Sequence, residues 1–307
     1  MILVEHLVKR YPGVTAVNDI SFHVQRGDIV GFLGPNGAGK TTTMRILTGY
    51  IPATSGSAVI AGFDVRENSL EVRRRIGYLP ENNPLYPEMR VAEYLKFRAR
   101  LKGVRGRRLR ERSNRVMEQC GLTEVSRKLI AHLSKGFRQR VGIADSLIHD
   151  PELIILDEPT IGLDPNQIQQ VRHLIKSLKK SHTVLLSTHI LPEVEMACDR
   201  VIILNRGRII CADKVVNLTR RSFVRAEIRG PREEIEKSLR ELPEVRQVAL
   251  STDGDFWECE VDAGGADVRE KIFGLAAQRR WTLRELSHER LSMEDIFIKA
   301  VTTDAEE

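Results

Sequence analysis

No stretch constrains this chain more than the run Gly34, Pro35, Asn36, Gly37, Ala38, Gly39, Lys40, Thr41 and Thr42, which follows an apolar segment from Ile29 to Leu33. The run has the form G-x-x-x-x-G-K-[ST] of a phosphate-binding loop, in the strand, glycine loop and helix setting that the form requires. Glycines let consecutive backbone N–H groups turn inward around a polyphosphate. A helix beginning near Lys40 points the positive end of its dipole at the same charge. In such a loop Lys40 reaches the β- and γ-phosphates, and the Thr41 hydroxyl ligates Mg²⁺. The fold expected around it is α/β, with strands and helices alternating.

A second segment, Leu153-Ile-Ile-Leu-Asp157-Glu158-Pro159, reads as a buried parallel strand ending in two carboxylates. Alone it could be a strand followed by a solvated acidic turn. With the loop present, the strand delivers its acids to a nucleotide crevice: Asp157 holds Mg²⁺ through water, and Glu158 polarises the water that attacks the γ-phosphate.

A third segment, Leu133-Ser134-Lys135-Gly136-Phe137-Arg138-Gln139-Arg140, lies about twenty residues before the acidic pair. It resembles the LSGGQxQR signature of the ABC ATPases, which other P-loop enzymes lack. Further pieces fall in that family's order. The resemblance implies that Tyr11 stacks on adenine, that Ile161-Gly-Leu-Asp164 is the D-loop, and that His189, ending Thr183-Val-Leu-Leu-Ser-Thr-His, contacts the γ-phosphate and senses its loss. Taken alone, Tyr11 before Pro-Gly closes a turn, and a lone strand-end His is a surface or capping residue.

The resemblance covers residues 1 to about 218. It implies ATP and Mg²⁺ as cofactors and a head-to-tail pairing of two ATPase domains, in which Ser134, Lys135 and Gly136 touch the nucleotide of the opposite subunit. Each motif occurs once here, so the second domain belongs to another chain, identical or different. Where the family has a Gln that contacts Mg²⁺ and signals to the membrane subunit, this chain has Glu81, which keeps an oxygen ligand and adds a negative charge. Lys135 and Phe137 replace the usual Gly and Gln. Without the family, Ser134 is an ordinary helix N-cap, and both readings can hold together.

Charge divides along the chain. From Thr219 to Glu307 there are 15 Lys/Arg against 20 Asp/Glu, a net −5, which leaves +11 for the rest of the +6 total. Much of the excess lies between Arg98 and Arg112. No aromatic ladder for stacking bases interleaves this tract, and Gly103 and Gly106 break it into two helix ends, so it reads as a solvated hairpin near anionic lipid rather than a nucleic-acid site. The four cysteines, at 120, 198, 211 and 259, have neither C-x-x-C spacing nor nearby His ligands, as suits a reducing cytosol. No apolar run reaches the roughly twenty residues that cross a bilayer, and the N-terminus lacks a signal-peptide pattern.

Helices are expected near Lys40 to Leu47, Arg138 to Ile148 and Gln167 to Leu178, and an antiparallel element over Ile2 to Tyr11 and Ser57 to Ala61. Beyond Leu218, alternating strands, a helix opened by Pro231 and the hairpin signal Thr252-Asp-Gly-Asp255 give the order β-α-β-β-α-β of a ferredoxin-like unit. A last helix is expected from Ser292, with Asp295 completing a capping box. The reading is therefore an ATPase domain over 1–218, with a helical subdomain near 82–150, and a small α+β domain over 219–307. Both Ser292-Met-Glu-Asp-Ile-Phe-Ile-Lys-Ala-Val301 and Gly77-Tyr-Leu-Pro-Glu81-Asn-Asn-Pro-Leu-Tyr86 resemble ATPase subunits of bacterial sodium-export, drug-export and gliding-motility systems.

The function expected is the ATP-hydrolysing subunit of a transporter, an exporter, held at the cytoplasmic face of the membrane by permease subunits. Two alternatives remain at this point: a soluble ABC ATPase acting on ribosomes or nucleic acid, and an ATP-dependent regulator that scarcely hydrolyses.

Overall fold

The computed structural model describes residues 1–179, 181–219 and 222–290, together with Glu294 and Phe297. Its contacts form two compact units, one over Met1–Val215 and one beginning at Val216.

The first unit is built on a six-stranded sheet in the order Arg208–Lys214, Arg200–Asn205, Ile29–Leu33, Thr183–Thr188, Leu153–Asp157, Ile76–Leu79. Every residue of Ile29–Leu33, Leu153–Asp157 and Thr183–Thr188 is buried. A strand covered on both faces must be apolar on both, which is why these segments read as unbroken rather than alternating apolar runs. The pairing is parallel and in step: Leu33 lies beside Thr188, and Asp157 beside Ser187. Ile76–Leu79 runs parallel to Leu153–Leu156 at the sheet's end. The carboxyl ends of these strands, and the turns after them, therefore share one edge.

A second sheet, antiparallel, runs Val14–Val24, Ile2–Tyr11, Ser55–Ile60, Phe63–Asp64. Its buried face, with Ile2, Leu7, Ile20 and Ile60, shares one core with Phe32, Met44 and Leu47. Three helices, Val91–Leu101, Gly106–Gln119 and Lys135–Leu147, carry the intervening subdomain. The chain breaks between the first two at Gly103, whose φ is +80°, in keeping with the two helix ends read there. Arg98 and Lys102 anchor this layer, with an Arg98 Nη2–Asp145 Oδ2 distance of 2.9 Å and a Lys102 Nζ–Asp145 Oδ1 distance of 3.2 Å.

Two helices begin earlier than periodicity predicts, and caps explain both. Lys135–Leu147 starts before Arg138 because Ser134 Oγ accepts from the Phe137 N–H at 3.4 Å. Pro165–Leu178 starts before Gln167 because Asp164 Oδ1 accepts from the Gln167 N–H at 2.9 Å and Pro165 takes the first helical position.

The second unit has the order Ser222–Arg229, Arg232–Arg240, Gln247–Asp253, Phe256–Asp262, Arg269–Arg279, Thr282–Arg290. Its sheet runs Gln247–Asp253, Phe256–Asp262, Ser222–Arg229, Thr282–Arg290, with all pairs antiparallel. That is the split β-α-β arrangement expected of a ferredoxin-like unit. Asp253 pairs with Phe256, and Gly254 at φ +59° makes the tight turn between them. The expected final helix falls on residues outside those described, except that Glu294 and Phe297 are helical.

Candidate functional site

The loop from Gly34 to Gly39 leaves the end of Ile29–Leu33 and enters the helix Lys40–Leu47. No side chain caps that helix, so the N–H groups of its first turn are left for an anion. Gly39 sits at φ +99°, and a Cβ there would lie 2.3 Å from the Ala16 carbonyl oxygen of the antiparallel sheet. Only glycine meets both conditions. Lys40, 6% exposed, lies across the loop, its Nζ donating to the Gly34 carbonyl at 2.8 Å and the Pro35 carbonyl at 3.1 Å.

The acidic pair faces this loop. Successive strand residues point to opposite faces, so Asp157 and Glu158 would diverge if the strand continued. Glu158 instead takes a left-handed conformation, φ +50°, immediately past the strand. Consequently Glu158 Oε1 lies 3.5 Å from Lys40 Nζ, while Asp157 Oδ1 accepts from Thr41 Oγ1 at 3.2 Å. A non-glycine residue held at positive φ is uncommon, and such strain concentrates at working sites.

His189 follows directly on Thr183–Thr188, and its Nδ1 lies 2.9 Å from Glu158 Oε2. The structure thus gathers Lys40, Thr41, Asp157, Glu158 and His189 into one polar cluster. Both carboxylates are buried, Asp157 at 0% and Glu158 at 5% exposure. Burial raises the Asp157 pKa, with a further push from the nearby Glu81 and Glu158 charges, while the Thr41 hydroxyl, which donates to Oδ1, pulls the other way. Asp157 Oδ2 is buried without a hydrogen-bond partner among the described residues. A buried oxygen left over beside a Thr hydroxyl fits a hard divalent cation, which takes oxygen ligands.

Of the other residues singled out from the sequence, Glu81 borders this cluster, whereas Tyr11, Ser134, Lys135, Gly136 and Asp164 share no hydrogen bond or ion pair with it among the described residues. Tyr11 ends its strand 40% exposed, with Lys9 Nζ 5.1 Å from its ring centroid. Ser134 and Lys135 are exposed at the start of their helix, and Asp164 is exposed at the start of the next. Gly136 is buried against Gln167, where a Cβ would come within 2.5 Å of the side chain. Glu81 is exposed and lines a groove of about 880 Å³ with Arg45, Tyr78, Arg98, Leu101 and Asp157. Tyr78 in this groove has its phenol pKa raised by burial and by the Asp157 charge. Behind the cluster lies a buried set that the sequence reading did not name: Thr160, Thr188 and Glu193, with Arg172 beside them. Their only signal is position, one Thr just past Glu158 and the other just before His189.

A family model described as "ABC transporter" matches residues 17–161, and one described as "AAA domain, putative AbiEii toxin, Type IV TA system" matches 129–197. The chain is 35% identical to an uncharacterized ABC transporter ATP-binding protein, YxlF, of Bacillus subtilis, over 98% of this chain and 99% of that one. It is 31% identical to the linearmycin resistance ATP-binding protein LnrL of the same organism, over 91% and 90%. Among solved structures, a dimeric post-hydrolysis state of the ATP-binding cassette MJ0796 bound to ADP and Pi matches with a TM-score of 0.64 and 25% identity, over 70% of this chain and 99% of that one. A glycine loop, a buried acidic strand end and a strand-end His at one sheet edge, carried by a chain alike to such relatives along nearly its whole length, place it among the ABC transporter ATP-binding proteins, which bind and hydrolyse ATP.

Proposed function

We propose that this ATPase powers a bacterial exporter, held at the cytoplasmic face of the membrane by integral permease subunits and working as a head-to-tail pair of ATPase domains. The observation that carries the reading is the contact of Glu158 with both Lys40 and His189, at 3.5 and 2.9 Å, beside a loop built for phosphates.

Each residue takes a role suited to its place. Gly34, Pro35, Asn36, Gly37, Ala38, Gly39, Lys40, Thr41 and Thr42 cradle the phosphates, and Tyr11 stacks on adenine. Glu158 draws a proton from the attacking water, and His189 orients Glu158 and reports the γ-phosphate. Ser134 and Lys135, on the exposed start of their helix, and Gly136, buried beside them, meet the nucleotide of the opposite domain, with Asp164 alongside. Thr41, Asp157 and Glu81 would hold Mg²⁺, which would offset phosphate charge when bound. The groove that runs from Asp157 past Glu81 supports docking of the permease there, with Glu81 carrying the signal. No helix among the described residues is long and apolar enough to cross a membrane, so membrane attachment is assigned to that partner. The region 219–307 regulates or stabilises the dimer; unchanged assembly and turnover after deleting 220–307 would exclude this role.

The test is a pull-down of the tagged Glu158→Gln chain with ATP from detergent-solubilised cells. Recovery of a polytopic membrane protein supports the reading. Recovery of ribosomes or DNA-bound proteins alone would overturn the permease partnership.

A further inference from the structure

We infer that Glu193 is a positioning residue for hydrolysis, its buried carboxylate holding the two turns from which Glu158 and His189 project. The inference rests on the roles proposed above for Glu158 and His189.

Glu193 lies in the first turn of the helix Leu191–Ala197, where any acid is favoured by the helix dipole. A solvated carboxylate would satisfy that preference without cost. This one is 1% exposed, and burying a carboxylate is expensive unless its oxygens are engaged. Both are engaged. Oε1 accepts from the Thr160 hydroxyl, and Oε2 accepts from the Thr188 hydroxyl at 2.7 Å. Arg172 Nη2, from the helix that follows Asp164, lies 3.8 Å from Oε1.

The two threonines belong to the two reactive turns. Thr160 is two residues past Glu158, in a turn closed by the Ile161 N–H to the Glu158 carbonyl at 3.3 Å and the Leu163 N–H to the Thr160 carbonyl at 3.2 Å. Thr188 directly precedes His189, and its Oγ1 also accepts from the Ile190 N–H at 3.1 Å. One side chain therefore clamps both of the segments that carry the 2.9 Å contact between Glu158 and His189. Glu193 makes no hydrogen bond or ion pair with either of them, and in this geometry it acts only by fixing where they sit. Misplacement by roughly 1 Å of a group that orients a nucleophile can cost on the order of a hundredfold in rate.

The test measures steady-state ATP turnover and binding of a fluorescent ATP analogue with the purified full-length chain. Glu193→Gln keeps shape but replaces one acceptor oxygen by a donor. The result expected is a kcat lowered roughly tenfold or more, with KM and analogue affinity within about twofold, because the phosphate loop is not part of the clamp. Thr160→Val and Thr188→Val should each lower kcat less. Their combination with Glu193→Gln should add little to its loss, as for groups acting through one contact. If Glu193→Gln fails to fold, the two Thr variants carry the test through the same split between kcat and KM.

Unchanged kcat in soluble variants, additive losses, or a loss of analogue affinity matching the loss of kcat would overturn the inference. Glu158→Gln in the same assay separates the two levels. If it keeps turnover, the site reading itself fails; if it abolishes turnover while Glu193→Gln does not, only the clamp fails.

Discussion

The two sheets that organise the units differ in how much charge they bury. In the first unit, Lys40, Asp157, Glu158 and Glu193 are all under 9% exposed, and each meets a specific partner at the carboxyl edge of the parallel sheet. In the second unit one sheet face packs Val224, Ala226, Ile228, Cys259 and Val261 around Ile235, Leu239 and Ile272. The alternate residues, Arg225, Glu227, Arg229, Phe256 and Glu258, turn to the opposite face, where Glu227 is 8% exposed and paired with Arg284 while Arg225, Arg229 and Glu258 keep contact with solvent. There Arg225 Nη2 meets Glu258 Oε1 at 2.5 Å, and Arg229 and Arg284 lie over the Phe256 ring. Charges on a solvated face stabilise weakly, whereas buried ones reward correct geometry and penalise its loss. Chemistry is accordingly expected from the first sheet and packing from the second.

The strongest way to break this contrast is Glu158→Gln. Turnover by the purified chain should fall by about 10² to 10³, the effect of removing a general base, while light scattering shows an ATP-dependent dimer. Next in size is Ile272→Ala in the second unit, 0% exposed in the wild type. It should cost about 2–4 kcal/mol in urea unfolding of that unit and leave the affinity for nucleotide unchanged. A loss of affinity would show that the second core supports the site after all.

A pH test follows. His149 Nε2 lies 3.0 Å from the Ile76 carbonyl oxygen, and Nδ1 is buried without a partner among the described residues. Burial, reinforced by the Lys102 charge, pushes its pKa down to about 4 from 6.5. Between those values the unfolded chain takes up a proton that the folded chain refuses. The stabilisation is therefore full above pH 6.5 and is lost as pH falls toward 4. Going from pH 7.5 to 5 should cost the wild type about 2 kcal/mol more than His149→Gln, read from urea midpoints.

Glu81→Gln should change turnover by no more than a few-fold, roughly 1 kcal/mol or less, since an oxygen ligand survives. A complete loss would mean that the carboxylate itself is needed. The smallest effect belongs to Glu258→Gln, which should shift the stability of the second unit by about 1 kcal/mol or less and leave turnover alone.

The sequence made the nucleotide edge legible because backbone geometry and phosphate chemistry together demand residue types at fixed spacing. Gly39 shows this: its positive φ and the Ala16 carbonyl both exclude a side chain. The ATPase strands were legible because burial on both faces leaves unbroken apolar runs. Helix starts were less evenly legible: Ser134 was readable as a cap from its residue type, whereas the cap at Asp164 acts through a single hydrogen bond that hydrophobic periodicity does not register. The Thr160, Thr188 and Glu193 set was illegible for another reason. Thr and Glu are ordinary surface residues, and only parallel pairing between Leu153–Asp157 and Thr183–Thr188 brings their segments together.

That pairing also dictates where the gene can change length. Residues 80–152 leave and re-enter the sheet between adjacent parallel strands, Ile76–Leu79 and Leu153–Asp157. Loop-closure entropy grows only slowly with length, so insertions at exposed turns in this excursion leave Asp157 and Glu158 where they are. One residue gained or lost inside Leu153–Asp157 reverses the face presented by each side chain, delivering the carboxylates to the wrong side of the loop. The subdomain between these strands is free to diversify in size toward different partners, while the short strand beside it is held to a fixed length.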